Sequence, residues 1–126
     1  MATATATGYQ GMFYGRADEV SRVRREVAGY LADCPVADDI VLIADELAAN
    51  CVLHTHSRGE FFRVRCELSP GSVRIEVEDM GGPWRKRKAD DRPHGLDIVE
   101  ALTGPDGWGT ETAGDGGRIV WAALTW

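Results

Sequence analysis

The sequence predicts an α+β fold, a two-layer α/β sandwich in which a mostly antiparallel sheet is covered by helices on one face. Three observations lead there. Apolar residues recur at spacings of three and four through the first half of the chain, then switch to strict alternation from Phe62 onward. One short helical segment returns before a closing apolar run, and helices followed by antiparallel strands with one inserted helix is the order of an α+β fold, not of repeated βα units. The length of 126 residues suits a single domain, 1–126, able to fold without disulfides or metal.

Each element has its own signal. Residues 1–7 alternate Ala and Thr without a core pattern and are expected to fray. Residues 8–16, GYQGMFYGR, read as an aromatic-rich edge strand weakened by three glycines. Asp18 is placed to cap a helix whose stripe is Val20, Val23, Val27, Tyr30 and Leu31, with Arg22, Arg25 and Glu26 on the wet side and Cys34-Pro35 as its stop. A second helix starts near Ala37, with Ile40, Ile43, Ala44, Leu47 and Cys51 as its apolar face and Asp38 and Asp39 in its first turn, where the helix dipole favours acids. Phe62, Val64, Cys66 and Leu68 alternate with Arg63, Arg65 and Glu67; Pro70-Gly71 turns; Val73, Ile75 and Val77 alternate with Arg74, Glu76 and Glu78. The pair predicts an antiparallel hairpin with one wet face. A Gly- and Pro-containing basic loop follows Asp79, then a helix over 94–102 stopped by Gly104 and Pro105, a strand over 108–112 and an interior strand over 119–124.

Composition narrows the function classes. Lys and Arg number 14 against 20 Asp and Glu, a formal charge of -6, which disfavours direct binding to a nucleic-acid backbone or an anionic membrane. No stretch approaches the roughly 18 consecutive apolar residues that a membrane-spanning helix needs, and the start has no basic segment followed by an apolar one, so a cytoplasmic protein is expected. Cys34, Cys51 and Cys66 lack close spacing and read as buried free thiols. His54 and His56, two apart, point to different sides of a helix, so no structural metal is expected.

Four features carry chemistry. Glu46 and Asn50 lie four apart on the second helix, with His54 one turn further, so all three project from one side beside the apolar stripe. A carboxylate next to a neutral amide suits a hydroxyl to be deprotonated and a magnesium ion to be held, although the same pair describes a solvated helix margin. Continuing the alternation of Val73, Ile75 and Val77 carries Asp79 to the inward face, where a carboxylate needs a hydrogen-bond donor such as the amine of adenine. Gly81 and Gly82 follow, and without Cβ atoms they let a flat ligand approach the backbone. Finally, Arg85, Lys86, Arg87, Lys88 and Arg92 gather before Gly95 and Leu96, where the third helix begins and its free N–H groups favour an anion.

In order, these blocks read E46-L-A-A-N50-x-x-x-H54, D79-M-G81-G82, H94-G95-L96 and G116-G117-R-I-V-W-A-A-L. The set resembles the Bergerat-fold (GHKL) ATP-binding superfamily, or histidine-kinase-like ATPase domain, and within it the small anti-sigma-factor serine/threonine kinases, from about residue 18 to the end. The resemblance implies an ATP site between helices and sheet. By similarity, Asn50 would ligate Mg2+ and Glu46 would be the general base for a serine hydroxyl. Asp79 would take the adenine amine, with Gly81 and Gly82 admitting the ring. Gly95 and Leu96 would offer N–H groups to the phosphates beside His54 and Arg92, under a lid over 82–94. The partners implied are a sigma factor and a STAS-type antagonist (anti-anti-sigma) protein, with a homodimer as a further expectation. Two departures stand out: Pro93 replaces the first glycine of the usual phosphate loop, and Ile119 stands where relatives often have a threonine. Both leave open an alternative, a non-catalytic partner-binding module of the same fold with weak or lost ATP binding.

Overall fold

Alternation is the organising pattern of the sheet. A computed structural model describes residues 7–54, 61–79, 96–114 and 117–126. Within them the chain runs β1 (Thr7–Tyr14), α1 (Ala17–Tyr30), α2 (Ala37–His54), β2 (Phe61–Ser69), β3 (Ser72–Asp79), α3 (Leu96–Thr103), β4 (Trp108–Thr112) and β5 (Arg118–Thr125). The strands form one sheet in the order β1-β2-β3-β5-β4, each neighbour antiparallel. This is the expected α+β sandwich, with β1 at an edge and β5 in the interior.

Phe62, Val64 and Cys66 of β2 and Val73, Ile75 and Val77 of β3 all turn to one face and are buried. Against them lie Val23, Val27 and Leu31 of α1 and its end, Ile40, Ile43, Ala44, Leu47 and Cys51 of α2, and Val99 of α3. Each such side chain contributes about 1.5–3 kcal/mol on burial, so this interface holds the two layers together. The other face is charged, with Arg65 reaching Glu76 at 3.4 Å and Glu78 at 3.2 Å, while Arg74 reaches Glu76 at 2.8 Å. Among the described residues no helix is long and apolar enough to cross a membrane.

Two glycines fix the placement of α3. Gly104 ends the helix in the left-handed region, at φ 83°, and donates its N–H to the Glu100 carbonyl at 2.7 Å. At Gly107 a Cβ would lie 2.3 Å from the Thr103 carbonyl oxygen, so only glycine fits where the chain folds back into β4.

The start of α1 differs from expectation. Its N-cap is Arg16, in extended backbone with no side-chain cap bond, and Asp18 sits in the first turn beside the Arg16 guanidinium at 3.2 Å. The helix ends at Tyr30, and Leu31 closes it by donating to the Val27 carbonyl, before Cys34-Pro35 is reached. Arg22 and Glu26 are only partly open to water. β1 crosses this side of α1, and Arg22 lies over the Phe13 ring at 4.2 Å, binds Glu19 and Glu26 at 2.8 Å each, and donates to the Met12 carbonyl at 3.0 Å. Glu19, only 8% exposed, also accepts the Tyr14 N–H at 3.0 Å, and Tyr9 donates its hydroxyl to Glu26.

The Arg22 guanidinium holds the Glu19 carboxyl down at about 2, against 4.5 for an ordinary glutamate. A depressed acid contributes stability above its unfolded value and loses it as pH falls through the folded one. Urea unfolding of wild type and Glu19→Gln should therefore differ by about 2 kcal/mol near neutrality, with the gap closing between about pH 4.5 and pH 2. Gly107→Ala should cost about 1–3 kcal/mol in the same assay, since backbone rather than a flexible side chain opposes the new methyl.

Candidate functional site

At the end of the sheet where β3 finishes and β5 begins, the helical layer leaves a recess. Leu47, Asn50 and Cys51 come from α2, Val77 from β3, Leu96 from α3, Thr110 from β4, and Arg118 and Val120 from β5. The space it bounds, counting the part open to solvent, is about 360 Å³, while its enclosed volume is about 20 Å³. The walls are apolar and the polar groups few, which is the composition of a site for a flat, partly apolar ligand.

Helical spacing explains the α2 contribution. Leu47, Asn50 and Cys51 stand three and four apart, so one face of the helix turns all of them toward the sheet. Asn50 is 4% exposed, and its side-chain oxygen meets no hydrogen-bond donor among the described residues. An amide oxygen buried in that way carries a cost of about 1–3 kcal/mol unless a ligand engages it. Glu46, one turn earlier, is half-buried at the margin of the same face.

Asp79 closes β3 and is 1% exposed, on the helix-facing side that the alternation required. On β2 its register partner is Phe62, which stacks on Phe13 at 5.6 Å. Burial, with the Asp79 charge as a second cause, pushes the Cys51 thiol well above its usual range, so the carboxylate stands close to the recess wall. Cys34 and Cys66 are likewise buried free thiols, and burial pushes Cys66 up to about 12. Among the described residues no group of three or more His, Cys, Asp and Glu is arranged to hold a metal.

The structure thus brings Asn50 and Leu96 to one recess; Asp79 is buried at the end of β3, two residues beyond Val77 of the recess wall, and Glu46 lies one helical turn before Asn50. Leu96 opens α3 and is 9% exposed. His54 ends α2, but its side chain lies outside the described residues, as do Gly81, Gly82, Arg92 and Gly95, the cations of 85–88, Pro93 and the lid expected over 82–94. Ile119, where relatives often have a threonine, lies on the outer face of β5. It pairs with Glu78, whose carboxylate meets Arg63 and Arg65 on the outer face, so Ile119 points away from the site. Its neighbours Arg118 and Val120 face the recess instead. Alternation counted backward from Val120 and Ala122 would have found Arg118, and Thr110 follows from its pairing with Val120.

Residues 13–118 match the family described as the histidine kinase-like ATPase domain. Among solved structures the chain is similar to the crystal structure of the RsbU and RsbW domains of Rv1364c from Mycobacterium tuberculosis, with a TM-score of 0.69 and 22% sequence identity. The match covers 94% of this chain and 32% of that one, and the likeness is one of fold. No curated protein matches the sequence.

Buried, protonated thiols are poor nucleophiles. A thiol reagent at pH 8 should leave all three cysteines of the native protein unmodified over minutes and titrate all three once guanidinium unfolds it.

Proposed function

Because the chain belongs to the histidine kinase-like ATPase domain family, we propose that its recess binds ATP with Mg2+ and that the protein is a regulator that phosphorylates a serine or threonine of a STAS-type antagonist protein, controlling a sigma factor by partner exchange. The observation that carries the nucleotide reading is Asn50: a buried amide oxygen without a described donor, on the wall of an apolar recess. Magnesium takes oxygen ligands and keeps several waters, so the Asn50 amide oxygen at the recess wall would serve as one of its ligands. When bound, Mg2+ would supply neutralisation of charge on the transferring phosphoryl group.

The chain's own residues divide the remaining work. Asp79, 1% exposed at the end of β3, accepts the adenine amine. Leu47, Val77, Leu96 and Val120 exclude water from the ring faces. Leu96, at the first turn of α3, offers its N–H toward the phosphates. Glu46 stands one helical turn from Asn50 and half-exposed, so it takes a proton from an incoming hydroxyl while Asn50 stays inside. Phosphoryl transfer asks for positioning and charge neutralisation more than for covalent participation, and this set supplies both. The shared fold with a structure that contains an RsbW domain supports the same reading.

Pro93 favours a second reading, a partner-binding module without turnover, since proline has no N–H to give a phosphate. The other ground for it is weaker than the sequence implied, because Ile119 faces away from the recess.

Calorimetry and phosphate transfer separate the two. With Mg2+, wild type should bind ATP, Asp79→Asn should bind at least tenfold more weakly, and Asn50→Ala should lose the part of the affinity that depends on Mg2+. Glu46→Gln should keep ATP affinity within about threefold while transfer of labelled phosphate to the cognate antagonist falls at least a hundredfold. Binding without transfer in the wild type would establish the second reading, and no binding at all would refute the ATP site.

A further inference from the structure

We propose that Arg118 is a base-recognition residue, donating a hydrogen bond to the ring nitrogen N1 of adenine next to the amine held by Asp79; this rests on the ATP reading above. The β3–β5 pairing ends with Val77 on Val120 and Glu78 on Ile119, and the residues that follow outward are Asp79 on β3 and Arg118 on β5. Both residues therefore turn to the helix-facing side, as Val77 and Val120 do, and Arg118 lines the same recess as Asn50 and Cys51.

The chemistry of the base asks for such a neighbour. Adenine presents a donor and an acceptor side by side, the 6-amino group and N1. An ionised carboxylate has acceptors only, so Asp79 satisfies the first and leaves the second. A buried ring nitrogen without a donor would cost part of what the amine contact provides. Of the described side chains that line the recess, Asn50, Thr110 and Arg118 carry donors besides the Cys51 thiol, a weak one. Asn50 is committed to the phosphate end through its oxygen, and Thr110 pairs with Val120 on β4, two strands away from Asp79. Arg118 alone sits on the strand adjacent to Asp79 and at its level.

A guanidinium suits the task better than a hydroxyl. It has five N–H donors and stays charged at any relevant pH, so it can bond a carboxylate and still offer an N–H to the ring. Arg118 is half-buried and Asp79 is 1% exposed, so a ligand edge that meets both is partly shielded from water. Acceptor and donor are then held at a fixed spacing by the sheet, matched to one edge of the base.

The test compares ATP with 1-deaza-ATP, which replaces N1 by C–H and keeps the amine and the phosphates. Calorimetry with Mg2+ should show wild type binding 1-deaza-ATP roughly tenfold to a hundredfold more weakly than ATP, the range of a hydrogen bond to a charged donor. Arg118→Met, similar in length but without donors, should bind the two ligands equally, at the wild-type level for 1-deaza-ATP. Arg118→Lys should restore part of the preference, and melting curves report whether each variant folds. Equal binding of the two ligands by wild type, or an unchanged preference in Arg118→Met, overturns the inference alone. So does a loss in Arg118→Met that grows from adenosine through ADP to ATP, which would assign the guanidinium to the phosphates. Should Arg118→Met fail to fold, the wild-type preference and its change in Arg118→Lys decide. A wild type that binds neither ligand overturns the ATP reading and this inference with it.

Discussion

The strict alternation of β2, β3 and β5 is the constraint on which the other features rest. Because successive side chains of a strand point to opposite faces, three neighbouring antiparallel strands with matched registers make one apolar surface and one charged one. The helices have a single face to cover, and their stripes meet Val64, Ile75 and Val77 there. The same periodicity carries Asp79 inward at the end of β3 and Arg118 inward at the start of β5. A one-residue slip would turn Asp79 out to solvent and bring Glu78 in. The chemistry of the recess is thus a continuation of the core pattern past the point where apolar residues stop.

A different kind of interaction holds the first strand. β1 is an edge strand containing Gly8 and Gly11, which bury no side chain of their own. Phe13 anchors it in the core, and Arg22 fastens it to α1 by bonding two carboxylates and a β1 carbonyl and lying on the Phe13 ring. Glu19, held ionised by that guanidinium, takes the Tyr14 N–H in turn. Glu19 is largely shielded, so removing Arg22 leaves its carboxylate poorly compensated, and the pair matters more than exposed ion pairs such as Arg16 with Asp18.

Much of this was legible residue by residue. The hairpin of β2 and β3 follows from two runs of alternation around Pro70-Gly71, and Gly71 adopts φ 78° as such a turn asks. The strand over 108–112 and the stop at Gly104 were set by local chemistry, since glycine alone enters the left-handed region without strain. Glu46, Asn50 and Asp79 were findable because their spacing is fixed by helix and strand periods. The roles of Arg22 and Glu26 were not. Helical periodicity shows that they lie off the apolar stripe, but it does not show that a strand from earlier in the chain covers that side.

Arg118 and Ile119 mark the same boundary at the site itself. Local periodicity determined that residues 119–124 form a strand and that one face of it is buried, because alternation and propensity are properties of the chain alone. Which of two adjacent residues enters the recess depends on how β5 is registered against β3, and that register is set by pairing across the sheet with residues some forty positions away. The sequence by itself determined the elements, the two-layer order and the positions of Glu46, Asn50 and Asp79 on them. The tertiary structure decided that Ile119 belongs to the charged outer face and Arg118 to the recess beside Asp79, because the direction of a side chain on a strand follows from the partner strand's register.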